Sequence, residues 1–123
     1  MKYFLPIIVS VFLTTSAHAA LQTGTLTLPS EEDAARIKTR VLILHGAADR
    51  FVKTETIAGL QETLEKAGVD WQMVYYAHAV HAFTNPDAGS DPSKRVAYNA
   101  KAAERSWKQM QVFFEEVFTD GRM

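Results

Sequence analysis

The chain of 123 residues has no cysteine. That removes disulfides, thiolate metal sites and a thiol nucleophile from anything these residues do by themselves. It also lacks an excess of charge of either sign: 13 Lys and Arg stand against 14 Asp and Glu, for a formal net charge of −1. With no Lys/Arg stripe to neutralise phosphates, a nucleic-acid surface is excluded. The small basic groups Lys38/Arg40 and Lys94-Arg95 are expected to be solvated flanks. Six glycines and four prolines are too few for a low-complexity chain, and no internal repeat is visible.

What is present is a globular composition, 47% hydrophobic, behind an N-terminus of another kind. Lys2 supplies a short positive region, and Phe4 to Leu13 form an apolar run interrupted only by Pro6 and Ser10. Thr14-Thr15-Ser16 and then Ala17-His18-Ala19 complete the pattern of a secretory signal peptide, with cleavage expected between Ala19 and Ala20. A membrane anchor is the rival reading, but the run falls well short of the ~20 residues that a spanning helix needs. Residues 1–19 are therefore expected to be a leader and residues 20–123 one small exported domain, secreted or periplasmic, with no membrane contact after cleavage.

Residues 20–29 read as an extended arrival segment, with a short strand at Thr25 to Leu28. Ser30, three residues before Asp33, predicts the cap of a short helix over Glu31 to Ile37. Arg40 to His45 (RVLILH) is a continuous apolar run closed by Gly46, the pattern of a parallel strand buried on both faces. Thr54 is expected to cap a helix that ends near Ala67 and stops at Gly68, burying Ile57, Leu60, Leu64 and Ala67 on one stripe. Trp71 to Tyr76 (WQMVYY) follows as a strand, so strand, helix and strand form a βαβ unit with parallel strands. Residues 77–92 form a loop. A long helix over about Val96 to Phe118 closes the chain, with Ala103, Trp107, Met110, Phe114 and Val117 as its expected core face.

Two polar residues fall just past the C-terminal ends of the strands, where open α/β sheets place their sites. Asp49 lies in His45-Gly46-Ala47-Ala48-Asp49, and His81 in His78-Ala79-Val80-His81. Parallel neighbours lie about 5 Å apart, so loops leaving one edge can bring a carboxylate against an imidazole. An Asp that holds a His in one tautomer is two thirds of a hydrolytic triad. By spacing alone, Asp49 reads more readily as a turn or capping residue and His81 as a solvated or hydrogen-bonding loop histidine. His78 and His81, with His45 and Asp49 nearby, also make a metal site conceivable. The loop offers neither helical i,i+4 spacing nor a visibly rigid frame, so no metal and no cofactor is expected.

The surrounding segments go further. VLILHGAADRFV (Val41 to Val52) resembles the acid-bearing strand and loop of α/β-hydrolases in general. AGVDWQMVYYAHAVHAFTNPDAG (Ala67 to Gly89) is similar to the histidine segment of the dienelactone hydrolase family, and Ala97 to Phe118 to that family's closing helix. The resemblance implies an α/β fold, the C-terminal portion of an α/β-hydrolase. It implies hydrolysis of carboxylic esters or lactones, small-molecule substrates, Asp49 as triad acid and His81 as triad base. It also implies an upstream Ser or Cys nucleophile in a Gly-x-[Ser/Cys]-x-Gly elbow. No such elbow occurs in the chain. Ser30 lies in Leu28-Pro29-Ser30-Glu31-Glu32, and Ser90, Ser93 and Ser106 follow His81 and have no glycine two residues before and two after them.

Asp and His without a nucleophile do not make an esterase, since triad enzymes lose on the order of a million-fold in turnover without it. The alternative expectation is therefore an inactive truncated remnant, or a binding or oligomerising module of the same fold. Loss of the preceding strands would leave the Val41 to Leu44 strand with a bare apolar edge, a site for self-association. A marginally folded chain, a partner that completes the sheet and a gene that lost its middle all fit, and an intact leader joined directly to a late segment favours the last.

Overall fold

A computed structural model describes residues 28–120. The expected leader over residues 1–19, the cleavage point and residues 25–27 of the expected Thr25 to Leu28 strand lie outside those residues, as does Gly121, and Leu28 itself is in no strand. In chain order the elements are α1 (Glu31–Ala35), β1 (Val41–Gly46), α2 (Thr54–Lys66), β2 (Trp71–Tyr76) and α3 (Ala100–Asp120). Two single-turn 3₁₀ helices, Pro86–Ala88 and Pro92–Lys94, sit in the long connection before α3.

The strands pair in parallel, with Val41 opposite Trp71 and Gly46 opposite Tyr76, in a two-stranded sheet. Every residue of β1 is buried. Its side chains alternate between two clusters, as the strand period of two requires. Leu42 and Leu44 pack with Tyr76, Ala79 and Phe83 against Ala102 and Phe113 of α3. Val41 and Ile43 pack with Val69 against Leu60 and Leu64 of α2. A continuous apolar run is thus what a strand between two helical layers needs, and each fully buried aliphatic side chain contributes on the order of 1.5–3 kcal/mol.

The helix ends follow local chemistry. The Ser30 hydroxyl accepts from the Asp33 N–H at 3.1 Å, the cap expected for α1. The cap of α2 differs from expectation: Lys53 occupies that position without a side-chain bond, and Thr54 is the first helical residue. Past its other end Gly68 adopts φ +65°, the left-handed conformation that lets the chain leave α2 and return into β2.

Two expectations about α3 need correction. It starts at Ala100 rather than near Val96, because Asn99 caps it: the Asn99 side-chain oxygen accepts from the Ala102 N–H at 3.1 Å. Its buried face is also turned from the expected one. Ala102, Ser106 and Phe113 are buried, with Met110 and Val117 partly buried beside them, whereas Trp107 is 60% exposed. Ser106 explains the shift. Its hydroxyl donates to the Ala103 carbonyl of its own helix at 2.8 Å, so a polar residue sits in the core with its hydrogen bond made.

Candidate active site

The sheet pairing does not stop where the strands do. The Ala47 N–H donates to the Tyr76 carbonyl and the Ala48 N–H to the Ala79 carbonyl, both at 2.9 Å. These bonds stitch the loop leaving β1 to the loop leaving β2. Gly46 makes the approach possible, since a Cβ there would stand 2.5 Å from the Ala79 oxygen. The second loop is held in turn by α3's lead-in: the Ala97 N–H donates to the His81 carbonyl, and the Asn99 N–H to the Phe83 carbonyl.

This backbone brings Asp49 and His81 together. His81 Nδ1 lies 2.9 Å from Asp49 Oδ2, and the Asp49 side chain is only 7% exposed. The other carboxylate oxygen, Oδ1, accepts from the Phe51 N–H at 2.8 Å. Burial by itself would raise the Asp49 carboxyl, but the bonds from His81 and the Phe51 N–H, with the fields of His81 and His45, hold it below its ordinary value. A buried carboxylate that stays ionised and accepts from Nδ1–H fixes the imidazole's orientation and presents Nε2 outward. The Phe51 ring, 5.1 Å from the imidazole at 63°, covers one side of it. Among the described residues Asp49 is the one hydrogen-bond partner of the His81 ring, so no serine engages Nε2. Ser93 Oγ donates to Asp91 at 2.6 Å, and Ser106 lies in the core.

Three features of the site escaped sequence reasoning. His78 and Ala82, on either side of His81, have φ of 63° and 58°. Left-handed backbone at non-glycine residues costs roughly 1 kcal/mol each and concentrates where a loop is shaped for function. Nothing in the residue types announced it. Next, His45 is buried at the end of β1, edge-on to Tyr75 at 5.7 Å. Burial lowers its pKa, the Asp49 charge opposes that shift and the His81 charge adds to it. Its position at the strand end was the available signal. Finally, an open cavity of about 130 Å³ is lined by Ala48, Arg50, Val80, Pro92, Ser93 and Arg95, so the loop neighbours of Asp49 and His81 share a surface with two guanidinium groups. His78 is exposed, and among the described residues no group of three or more His, Asp or Glu side chains could hold a metal ion.

The family model for dienelactone hydrolases matches residues 10–118. The chain belongs to the dienelactone hydrolase family. Solved structures agree: the chain is similar to a dienelactone-hydrolase-like promiscuous phosphotriesterase from metagenomic libraries, with 43% identity and a TM-score of 0.67 over 73% of this chain. A second solved structure of the family, m3DLH, shares 39% identity and a TM-score of 0.69 over 75% of this chain. Among curated relatives, a candidate carboxymethylenebutenolidase of Methylorubrum extorquens is 34% identical over 83 residues, 68% of this chain. The chain spans much less of those proteins: 38% of each solved structure and 26% of the Methylorubrum protein. A Caenorhabditis elegans relative, 31% identical over 78 residues, is spanned for 49% of its length. The fold of the family is thus present as a short parallel sheet with its helices, and the family is one of hydrolases.

Proposed function

We propose that this dienelactone hydrolase relative carries the acid and base of an ester- or lactone-hydrolysing site, Asp49 as the acid and His81 as the base. The observation that supports this most directly is the 2.9 Å contact of His81 Nδ1 with a buried Asp49 carboxylate. In such a site Nε2 of His81 takes the proton from a nucleophile as it attacks the carbonyl. An acyl-enzyme forms, the leaving alcohol receives that proton, and His81 then activates the water that releases the acid. Asp49 stabilises the imidazolium formed in both steps. The nucleophile and the oxyanion-binding amides belong, in this reading, to residues other than those around Asp49 and His81.

One observation favours a second reading. No Gly-x-[Ser/Cys]-x-Gly elbow occurs in the 123 residues. By that reading the chain is a catalytically silent remnant or a binding module that keeps the Asp–His pair as structure. The purified chain offered an activated short-chain ester separates the two. Turnover above buffer that His81→Ala abolishes supports the hydrolase. A rate equal to buffer, unchanged in the variant, supports the module. Export is part of the same proposal: N-terminal sequencing of the secreted form should begin at Ala20, and a retained Met1 would refute it.

A further inference from the structure

Asp49 and His81 share a neighbour. The Phe51 N–H donates to Asp49 Oδ1 at 2.8 Å, and the Phe51 ring lies 5.1 Å from the His81 imidazole, their planes at 63°. The first contact brings about the second. A carboxylate that accepts from the amide two residues on closes an Asx turn, which folds the chain back over that carboxylate. Oδ2 of the same group holds His81 Nδ1 at 2.9 Å, so the turn delivers residue 51 beside the imidazole.

The loops leave His81 one freedom for that ring to remove. The backbone is pinned, since the His81 carbonyl accepts from the Ala97 N–H at 3.2 Å and His81 forms an isolated bridge to Val96. The carboxylate is pinned too, because Oδ1 on the Phe51 amide stops its plane from turning. One hydrogen bond at Nδ1 still lets the imidazole rock about the line to Oδ2, since such a bond tolerates a range of angles. That rocking swings Nε2 through an arc. A tilted aromatic ring at 5.1 Å meets the imidazole from the side and opposes the swing. Phe51 does not serve the core instead: it belongs to neither apolar cluster and is 47% exposed.

We propose that Phe51 is a positioning residue of the hydrolytic site, its amide fixing the Asp49 carboxylate and its ring holding the His81 imidazole so that Nε2 keeps one direction. The assignment rests on the reading of Asp49 and His81 as acid and base. The two contacts separate by substitution. Every residue but proline keeps the amide, so a change at position 51 tests the ring alone. Tyrosine keeps the ring and alanine removes it, with little taken from the core in either case.

Proton NMR of the full chain with isotope-labelled histidine tests this without needing turnover. At a pH where the ring is neutral, wild-type His81 should carry its proton on Nδ1, in a downfield resonance protected from solvent exchange. Phe51→Ala should speed that exchange about two- to tenfold, the range one aromatic contact supplies, and Phe51→Tyr should keep the wild-type rate. Lys53, exposed on the same loop, is the control, and Lys53→Ala should leave the exchange unchanged. Unchanged exchange in Phe51→Ala, or equal acceleration in Lys53→Ala, overturns the assignment to the ring. A wild-type His81 protonated on Nε2 instead overturns the acid–base reading itself, so the two failures are told apart. Where the chain turns over an activated ester, kcat of Phe51→Ala should fall by the same factor at unchanged KM. A raised KM at unchanged kcat would make Phe51 a substrate contact and overturn the positioning role.

Discussion

Asp49 uses both oxygens, one accepting from the Phe51 N–H of its own loop and one from His81 on the loop after β2. Replacement by Asn keeps the shape but offers an amide where the imidazole N–H must donate, which favours the wrong tautomer. Any turnover of an activated ester by this chain should therefore fall about 10⁴-fold in Asp49→Asn, the loss seen when a triad acid is so changed. His45 gives a pH prediction. Its folded pKa is depressed by burial, so the folded state favours the neutral ring. The stability this contributes is full above the unfolded value near 6.5 and is lost as pH falls through the lower folded value. The Tm of the wild type should drop between pH 7 and 5, and His45→Gln should flatten that drop. Parallel declines in both proteins would assign the acid sensitivity elsewhere. Gly46 is the third residue with a sharp consequence. A methyl group 2.5 Å from the Ala79 oxygen must push the two loops apart. Gly46→Ala should cost about 1–3 kcal/mol of stability, read by urea denaturation, and should separate Asp49 from His81.

At the scale of elements, the parts that could be read from the residues are those where one physical demand acts alone. Val41 to Leu44 had to be a buried parallel strand because nothing polar interrupts it, and Asp49 and His81 met because each follows the end of a paired strand. α3 was legible as a helix but not in its orientation. Two apolar stripes compete on it, and periodicity ranks Ser106 against the core although its hydroxyl is satisfied within its own turn. The positive φ values at His78 and Ala82 were hidden for another reason: neither residue type asks for that conformation, and only the tertiary bonds of the loop impose it. The sheet itself depends on few side chains. Leu42, wholly buried between β2 and α3, should cost about 2–5 kcal/mol when cut to Ala. Against a total stability of the usual 5–15 kcal/mol for a domain, that variant should show a much lowered urea midpoint.

For the molecule as a whole, the sheet raises a question that the side chains do not answer. Among the described residues β1 pairs with β2 alone, so one of its edges has no strand beside it, and relatives of the chain are at least twice as long as the part it matches. The parallel ladder turns successive amides to opposite edges. The Val41 N–H donates to the Asp70 carbonyl and the Ala47 N–H to that of Tyr76, so odd-numbered amides of β1 face β2. Those of Leu42 and Leu44 face the other edge, although their side chains are buried. If the chain is a monomer, that edge stays unpaired. Hydrogen exchange should then find Leu42 and Leu44 amides exchanging orders of magnitude faster than Val41 and Ile43 at every protein concentration. Protection of Leu42 and Leu44 that grows with concentration would instead mark β1 as the surface through which copies meet. Protection equal to that of Ile43 even in dilute solution would mean that the edge is already covered within one chain.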